Sequence, residues 1–361
     1  MNQLINRRFA RTFGRLIILF LIMGMCVSPI MAENLKLVKN LEGTWRFTIG
    51  DNPEWAMPDY DDRDWDVVYV PQSWEKSGFV DYNGYAWYRK VFDADETLDR
   101  EDLLLRLGQI DDVDEVYLNG QLIGTTGVFP PLVRTAYTVP RKYPLPAELL
   151  NMKGKNVIAV RVYDEYLDGG IYSGPVGIYH DMDNDLLSLN LAGYWEFETI
   201  NTVSPKPENI YGIKDGLIYV PAFWESLGYA TYDGSAVYTK DFRLPARFNT
   251  ENMMVVVGYV DDVDKVEING TRVGTVADLR TRDNKDIPDH LILRGYNVPS
   301  GTLRAGSNNT ITIKVYDTGI MGGIYEGPVG LITPDNYELL RAQQKEKSYN
   351  FWDDFFKQIF E

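Results

Sequence analysis

One stretch occurs twice, and it limits what this chain can fold into. Asp111-Asp112-Val113-Asp114-Glu115-Val116-Tyr117-Leu118-Asn119-Gly120 recurs 150 residues later as Asp261-Asp262-Val263-Asp264-Lys265-Val266-Glu267-Ile268-Asn269-Gly270. Each copy reads as an acidic turn, a short strand and an Asn-Gly hairpin. Asn-Gly suits a two-residue type I′ turn, because both central residues need positive φ. The repeat extends in both directions. Leu41, Gly43, Trp45 and Phe47 correspond to Leu191, Gly193, Trp195 and Phe197 at the same offset. Val70-Pro71, Trp74 and Glu75 correspond to Val220-Pro221, Trp224 and Glu225. Later the offset becomes 153: Arg141, Tyr143 and Pro146 match Arg294, Tyr296 and Pro299, and Gly169-Gly170-Ile171-Tyr172 matches Gly322-Gly323-Ile324-Tyr325. The chain is one module used twice. The three extra residues of copy two fall between Gly274 and Arg294, in a loop, where insertions cost little.

The modules run from about residue 35 to 181 and from 186 to 333, with a short polar link between. Within each, segments such as Val157-Ile158-Ala159-Val160-Arg161-Val162 read as strands, separated at short intervals by Gly, Pro and Asp. Many short strands with little helix predict an all-β protein of two tandem β-sandwich modules. Trp45, Phe47, Trp195 and Phe197 are expected in their cores.

Residues 1–32 read as a secretory signal. Arg7, Arg8, Arg11 and Arg15 form a basic start, Leu16 to Val27 a short apolar core, and cleavage is expected after Ala32. The apolar run is shorter than the roughly 20 residues of a membrane span. This points to a secreted or periplasmic protein with no span in the mature chain. Cys26, the one cysteine, lies in this leader, so the mature chain has no thiol chemistry. Net charge is −16, and residues 1–32 hold four Arg and no acid, so the remainder carries about −20. That disfavours nucleic acid and anionic membranes as partners.

The tail, residues 334–361, has no counterpart in the first module. Thr333-Pro334 reads as a helix start. Trp352, Phe355, Phe356, Ile359 and Phe360 share one face of an amphipathic helix. That face is expected to dock on module two or on a protein partner.

Several separated motifs carry a family resemblance. They are Asp61-Asp62 with Trp65, Val70-Pro71-Gln72-Ser73-Trp74-Glu75, Gly84-Tyr85-Ala86-Trp87-Tyr88-Arg89-Lys90, the Asp-Asp/Asn-Gly stretch, and Gly154 to Val162. Over nearly all of residues 35–333 the chain resembles the sugar-binding jelly-roll domain of family 2 glycoside hydrolases such as β-galactosidases. It is also similar to the jelly-roll insert of sialate O-acetylesterases. The resemblance implies a jelly-roll, galactose-binding-domain-like fold for each module. Module two departs from the pattern at Asp215 (for Trp65), Val237 (for Trp87) and Thr239 (for Arg89). In that family a barrel carries the catalytic carboxylates, and a barrel needs about 250 residues. Neither Gly-x-Ser-x-Gly nor Gly-Asp-Ser occurs, and His180 and His290 are the only histidines. The expectation is a non-catalytic, carbohydrate-binding accessory protein. The alternatives are a scaffold that kept the fold without sugar binding and, last, a glycosidase.

Trp74, Trp224, Tyr82, Tyr232, Trp87, Tyr172 and Tyr325 are the candidates for stacking on a sugar, since a flat aromatic face packs on the C–H face of a pyranose. Trp and Tyr also fill sandwich cores. Tyr172 and Tyr325 are favoured because they follow Gly-Gly in expected loops, with Asp164 and Asp317 as polar partners. No cofactor is called for. Asp111, Asp112, Asp114, Asp261, Asp262 and Asp264 are expected to bond turn backbone, with a structural calcium as the alternative.

Overall fold

Among the described residues, each copy of the repeat builds ten strands. A computed structural model describes residues 34–100, 102–200, 210, 212, 215–229, 232–281, 284–319 and 321–345. In the first copy the strands are β1 (Leu35–Asn40), β2 (Gly43–Ile49), β3 (Asp66–Val70), β4 (Gly84–Asp93), β5 (Leu103–Asp111), β6 (Val113–Leu118), β7 (Gln121–Thr126), β8 (Pro140–Pro144), β9 (Lys155–Asp164) and β10 (Gly170–Asp181). In the second they are β11 (Leu189–Asn190), β12 (Gly193–Ile200), β13 (Leu217–Val220), β14 (Gly234–Arg243), β15 (Met254–Asp261), β16 (Val263–Ile268), β17 (Thr271–Thr275), β18 (Arg294–Asn297), β19 (Asn308–Asp317) and β20 (Gly323–Ile332). The first set forms sheets ordered β1-β10-β5-β8 and β3-β2-β4-β9-β6-β7. The second forms β11-β20-β15-β18 and β13-β12-β14-β19-β16-β17, the same order strand for strand. Neighbouring strands pair antiparallel, as in β4 with β9 and β14 with β19. The fold is the expected all-β pair of sandwiches.

Alternation explains the cores. Trp45 and Phe47 of β2 and Ala86 and Tyr88 of β4 point between the sheets, together with Ile158, Val160 and Val162 of β9. Trp195, Phe197, Ala236, Tyr238, Ile311, Ile313 and Val315 do the same in the second sandwich. In the first sandwich β4 is buried on its other face as well. Trp87 packs there with Ala56 and Ala159, under Trp55 and Trp65. Arg89, beside it, is almost fully buried. Its guanidinium donates to Asp62 at 2.8 Å and to the carbonyls of Trp55 and Met57.

The Asn-Gly hairpins form as expected, with φ of 50° and 84° at Asn119 and Gly120 and of 50° and 78° at Asn269 and Gly270. The Asn side chain also ties down a later strand. Asn119 Oδ1 accepts from the Val157 amide at 2.8 Å, and its Nδ2 donates to Leu149 O and Asn156 Oδ1. Asn269 repeats this with Thr310, Thr302 and Asn309.

Residues Asn34–Leu340 form one compact unit. The link between sandwiches is a 3-10 turn, Met182–Leu186, capped by Asp181. Leu122 of β7 packs against the core of the second sandwich. Asp102 gathers Arg100, Asn184 and Asn190 at the junction, beside the buried His180. Beyond β20, residues 334–345 are helical. Thr333 accepts from the Asn336 amide at the helix start. Tyr337 and Leu340 pack on Met254, Val256 and Ile332. The aromatic face from Trp352 to Phe360 and the leader at 1–32 lie outside the described residues.

Candidate functional site

The acidic turn sits where β5 hands over to β6, and its three aspartates divide the work. Asp114 is fully buried and bonded to Arg141 Nε at 2.6 Å. Tyr143 donates its hydroxyl to the other oxygen at 2.5 Å. Arg141 directs its remaining donors to the carbonyls of Ile110, Asp112, Ala136 and Val139. Asp264, Arg294 and Tyr296 rebuild this arrangement in the second sandwich, at 2.9 Å and 2.7 Å. Asp114 and Asp264 are therefore struck from the calcium candidates, because both oxygens of each already serve a buried guanidinium and a phenol. The Arg-x-Tyr pair was visible as a repeat, but nothing in the sequence joins it to an acid some 30 residues away.

Asp112 has a second task. It accepts from the Thr135 hydroxyl and, at 3.0 Å, from the Glu165 amide. It so holds two loops, the one between β7 and β8 and the one between β9 and β10. Exposed rings stand on both: Tyr137 is 49% exposed and Tyr166 69%. Neither was singled out from the sequence, since single tyrosines in loops carry no pattern. Tyr172 is half-buried, and its hydroxyl donates to Tyr137 O at 2.9 Å.

Asp164 ends β9 at the same place. One oxygen each of Asp111, Asp112 and Asp164 lie within 4.8 Å of one another. Asp164 is wholly buried; the Tyr166 amide acts on it weakly, and neither oxygen has a well-formed hydrogen bond. Burial, then the charges of Asp111 and Asp112, push its carboxyl up to about 8. Burial and the neighbouring Asp112 push Asp111 up to about 7. In the second sandwich the corresponding group is Asp261, Asp262 and His290. There the Thr318 amide and hydroxyl occupy Asp262, and Asp317 accepts from the Gly319 amide at 3.0 Å. Burial and Asp262 push Asp261 up to about 8.

Most of the expected sugar-stacking rings are elsewhere engaged. Trp74, Trp224 and Trp87 are fully buried, and Tyr232 is nearly so. Their faces are taken up by core packing: Trp74 lies against Phe47 and Tyr82, Trp224 against Phe197 and Tyr232. The Trp87 indole donates to Asp51 at 3.1 Å. Tyr82 is half-buried, with its hydroxyl on Tyr85 O. Tyr325 lies flat on Phe223, 4.7 Å between centroids and 4° between planes, so that face is occupied. Asp317, like Asp164, is buried, with one oxygen unpartnered. Of the predicted set, Tyr172 and Asp164 come together at the acidic turn.

The family model for the beta-galactosidase second all-beta domain matches residues 50–167. A beta-galactosidase of Bacteroides ovatus is 27% identical over 198 residues, covering 51% of this chain and 22% of that protein. A putative beta-glucuronidase of Formosa agariphila is 24% identical over 206 residues, covering 54% and 19%. Among solved structures, a Bacteroides uniformis beta-glucuronidase aligns over 81% of this chain and 28% of its own, at 14% identity and a TM-score of 0.36. The chain thus spans about a fifth of the length of the curated relatives it matches. With a match to an all-β domain of beta-galactosidases over residues 50–167, the chain resembles the non-catalytic β-sandwich portion of family 2 glycoside hydrolases, here written twice.

Proposed function

We propose that this chain is a secreted or periplasmic, non-catalytic glycan-binding protein of two modules, residues 35–181 and 186–333, exported by the leader at 1–32. Glycan binds at the loop end of the first module, where Tyr137, Tyr166 and Tyr172 stand around the acidic turn. One observation carries this reading: Asp112 fastens the two loops that bear Tyr137 and Tyr166. Exposed rings on pinned loops lose little freedom on binding, which lowers the cost of recognition. The second module lacks these rings. At the counterparts of Tyr137 and Tyr166 it has His290 and Gly319, so one site per chain follows. The relatives are a beta-galactosidase and beta-glucuronidases by name, which makes β-galactosides and β-glucuronides the first sugars to try.

A glycan-array screen of residues 33–361 tests this, with a Tyr137→Ala/Tyr166→Ala variant beside it. Binding to a defined sugar that the folded variant loses supports the reading. Equal binding by the variant, or none by either protein, overturns it.

A second reading is a scaffold without sugar recognition. The burial of Trp74, Trp87, Trp224 and Tyr232 favours it, and silence on the array with a protein captured through the tail would establish it.

A further inference from the structure

The acidic turn of the first sandwich gathers three carboxyl groups that no cation of the protein pairs with among the described residues. Asp111, Asp112 and Asp164 bring three carboxylates together. Asp164 is sealed from water with neither oxygen in a well-formed hydrogen bond. The nearby cation, Arg141, is committed to Asp114 and to four carbonyls. Among the described residues no Lys or Arg forms an ion pair with any of the three. A buried carboxyl with poorly partnered oxygens is costly, because burial strips its hydration and supplies no replacement.

We propose that Asp111, Asp112 and Asp164 hold one divalent cation, calcium by its chemistry, at the loop end of the first sandwich. The donor set is oxygen only, which selects a hard ion. Ligand oxygens on one calcium ion, each about 2.3–2.6 Å from it, lie up to about 5 Å apart, and the three carboxylates meet that limit. Asp112 can share its lone pairs, since Thr135 and the Glu165 amide each take one direction on it. Asp111 is half-exposed, so it leaves an entry for the ion and room for water to complete the shell. Asp164 supplies oxygens that no well-formed hydrogen bond engages. The ion would also brace the loops carrying Tyr137 and Tyr166, but its binding does not depend on the glycan reading.

The second sandwich marks the limit of the proposal. Its group replaces one carboxylate with the His290 nitrogen, a poor calcium ligand. The expected stoichiometry is therefore one ion per chain.

The test uses residues 33–361, freed of metal with chelator and titrated with calcium chloride by calorimetry, with thermal unfolding in parallel. No sugar is present, so the result stands apart from the array. The expected result is one calcium per chain, bound more tightly than magnesium, with a rise in Tm. Asp164→Asn should weaken binding at least about tenfold and, without metal, unfold no lower than the parent, since it keeps the shape and leaves no carboxyl to be neutralised. Asp261→Asn should bind as the parent does. Absence of heat and of a Tm shift at millimolar calcium would overturn the proposal. So would unchanged affinity in Asp164→Asn, equal loss in Asp261→Asn, or tighter binding of magnesium.

Discussion

Arg141 Nε donates to Asp114 across 2.6 Å, and neither side chain reaches solvent. The pair joins β8 to the start of β6 and carries the carbonyls of the acidic turn. Removing one partner strands the other in the interior. Asp114→Ala should cost about 3–5 kcal/mol of stability, read as a lower urea midpoint. An Asp114→Leu/Arg141→Met double variant should recover part of that loss. Equal destabilisation by single and double variants would show that packing, not the orphaned charge, sets the cost.

Asn119 does two jobs that separate variants can divide. Its backbone takes positive φ, and its side chain bonds Val157, Leu149 and Asn156. Asn119→Ala gives up both and should cost roughly 2–4 kcal/mol. Asn119→Gly keeps the turn and loses the bonds, so it should cost less. Chemical denaturation of the two variants orders them. A glycine variant as unstable as the alanine one would place the whole effect in the side chain.

Gly108 offers a sharper test of backbone fit. It has a φ of +61°, and a Cβ there would lie 1.9 Å from the Ser173 carbonyl oxygen. Gly258 meets Glu326 O in the same way in the second sandwich. Both sit at register shifts in β5 and β15. Gly108→Ala should lower stability by about 3 kcal/mol or more, measured by thermal unfolding.

Acid pH should stabilise the second sandwich through Glu225. Burial, and secondarily the charges of Asp317 and Asp233, push its carboxyl up to about 7, although the Gly322 amide bonds it. The folded state then holds a proton that the unfolded chain releases nearer 4.5. Stability is highest below the unfolded value and falls as pH rises from about 4.5 to about 7, by about 2 kcal/mol. Glu225→Gln should flatten that part of the pH–Tm profile. An unchanged slope in the variant would assign the effect to other carboxylates, Asp261 first.

Much of the architecture was legible because it was written twice. The 150-residue offset marked the two copies, Asn-Gly marked the hairpins, and alternation placed Trp45, Phe47, Trp195 and Phe197 in the cores. The site was harder to read. Trp74 and Trp224 look alike as core fillers and as sugar platforms, since the decision depends on which face of a loop turns inward. Asp114 and Asp112 are two residues apart, yet one is locked to Arg141 and the other pins two loops. Those partners come from β8 and from the loops near residues 135 and 165. Only the pairing of distant strands brings them together.

The buried guanidinium of Arg89 has a consequence for how such a chain sorts itself while folding. Two sandwiches with one strand order offer β4 and β14 each other's berths, and exchange of like strands is a common failure of repeated domains. Arg89 makes that exchange costly. Its carboxylate, Asp62, has Gly212 as its counterpart, and the place of Arg89 itself is taken by Thr239. A β4 that settled among the strands of the second sandwich would bring its charge to a place where Asp62 is replaced by a glycine. The departure of the second copy from the first thus works as an address, keeping each strand with its own half of the chain.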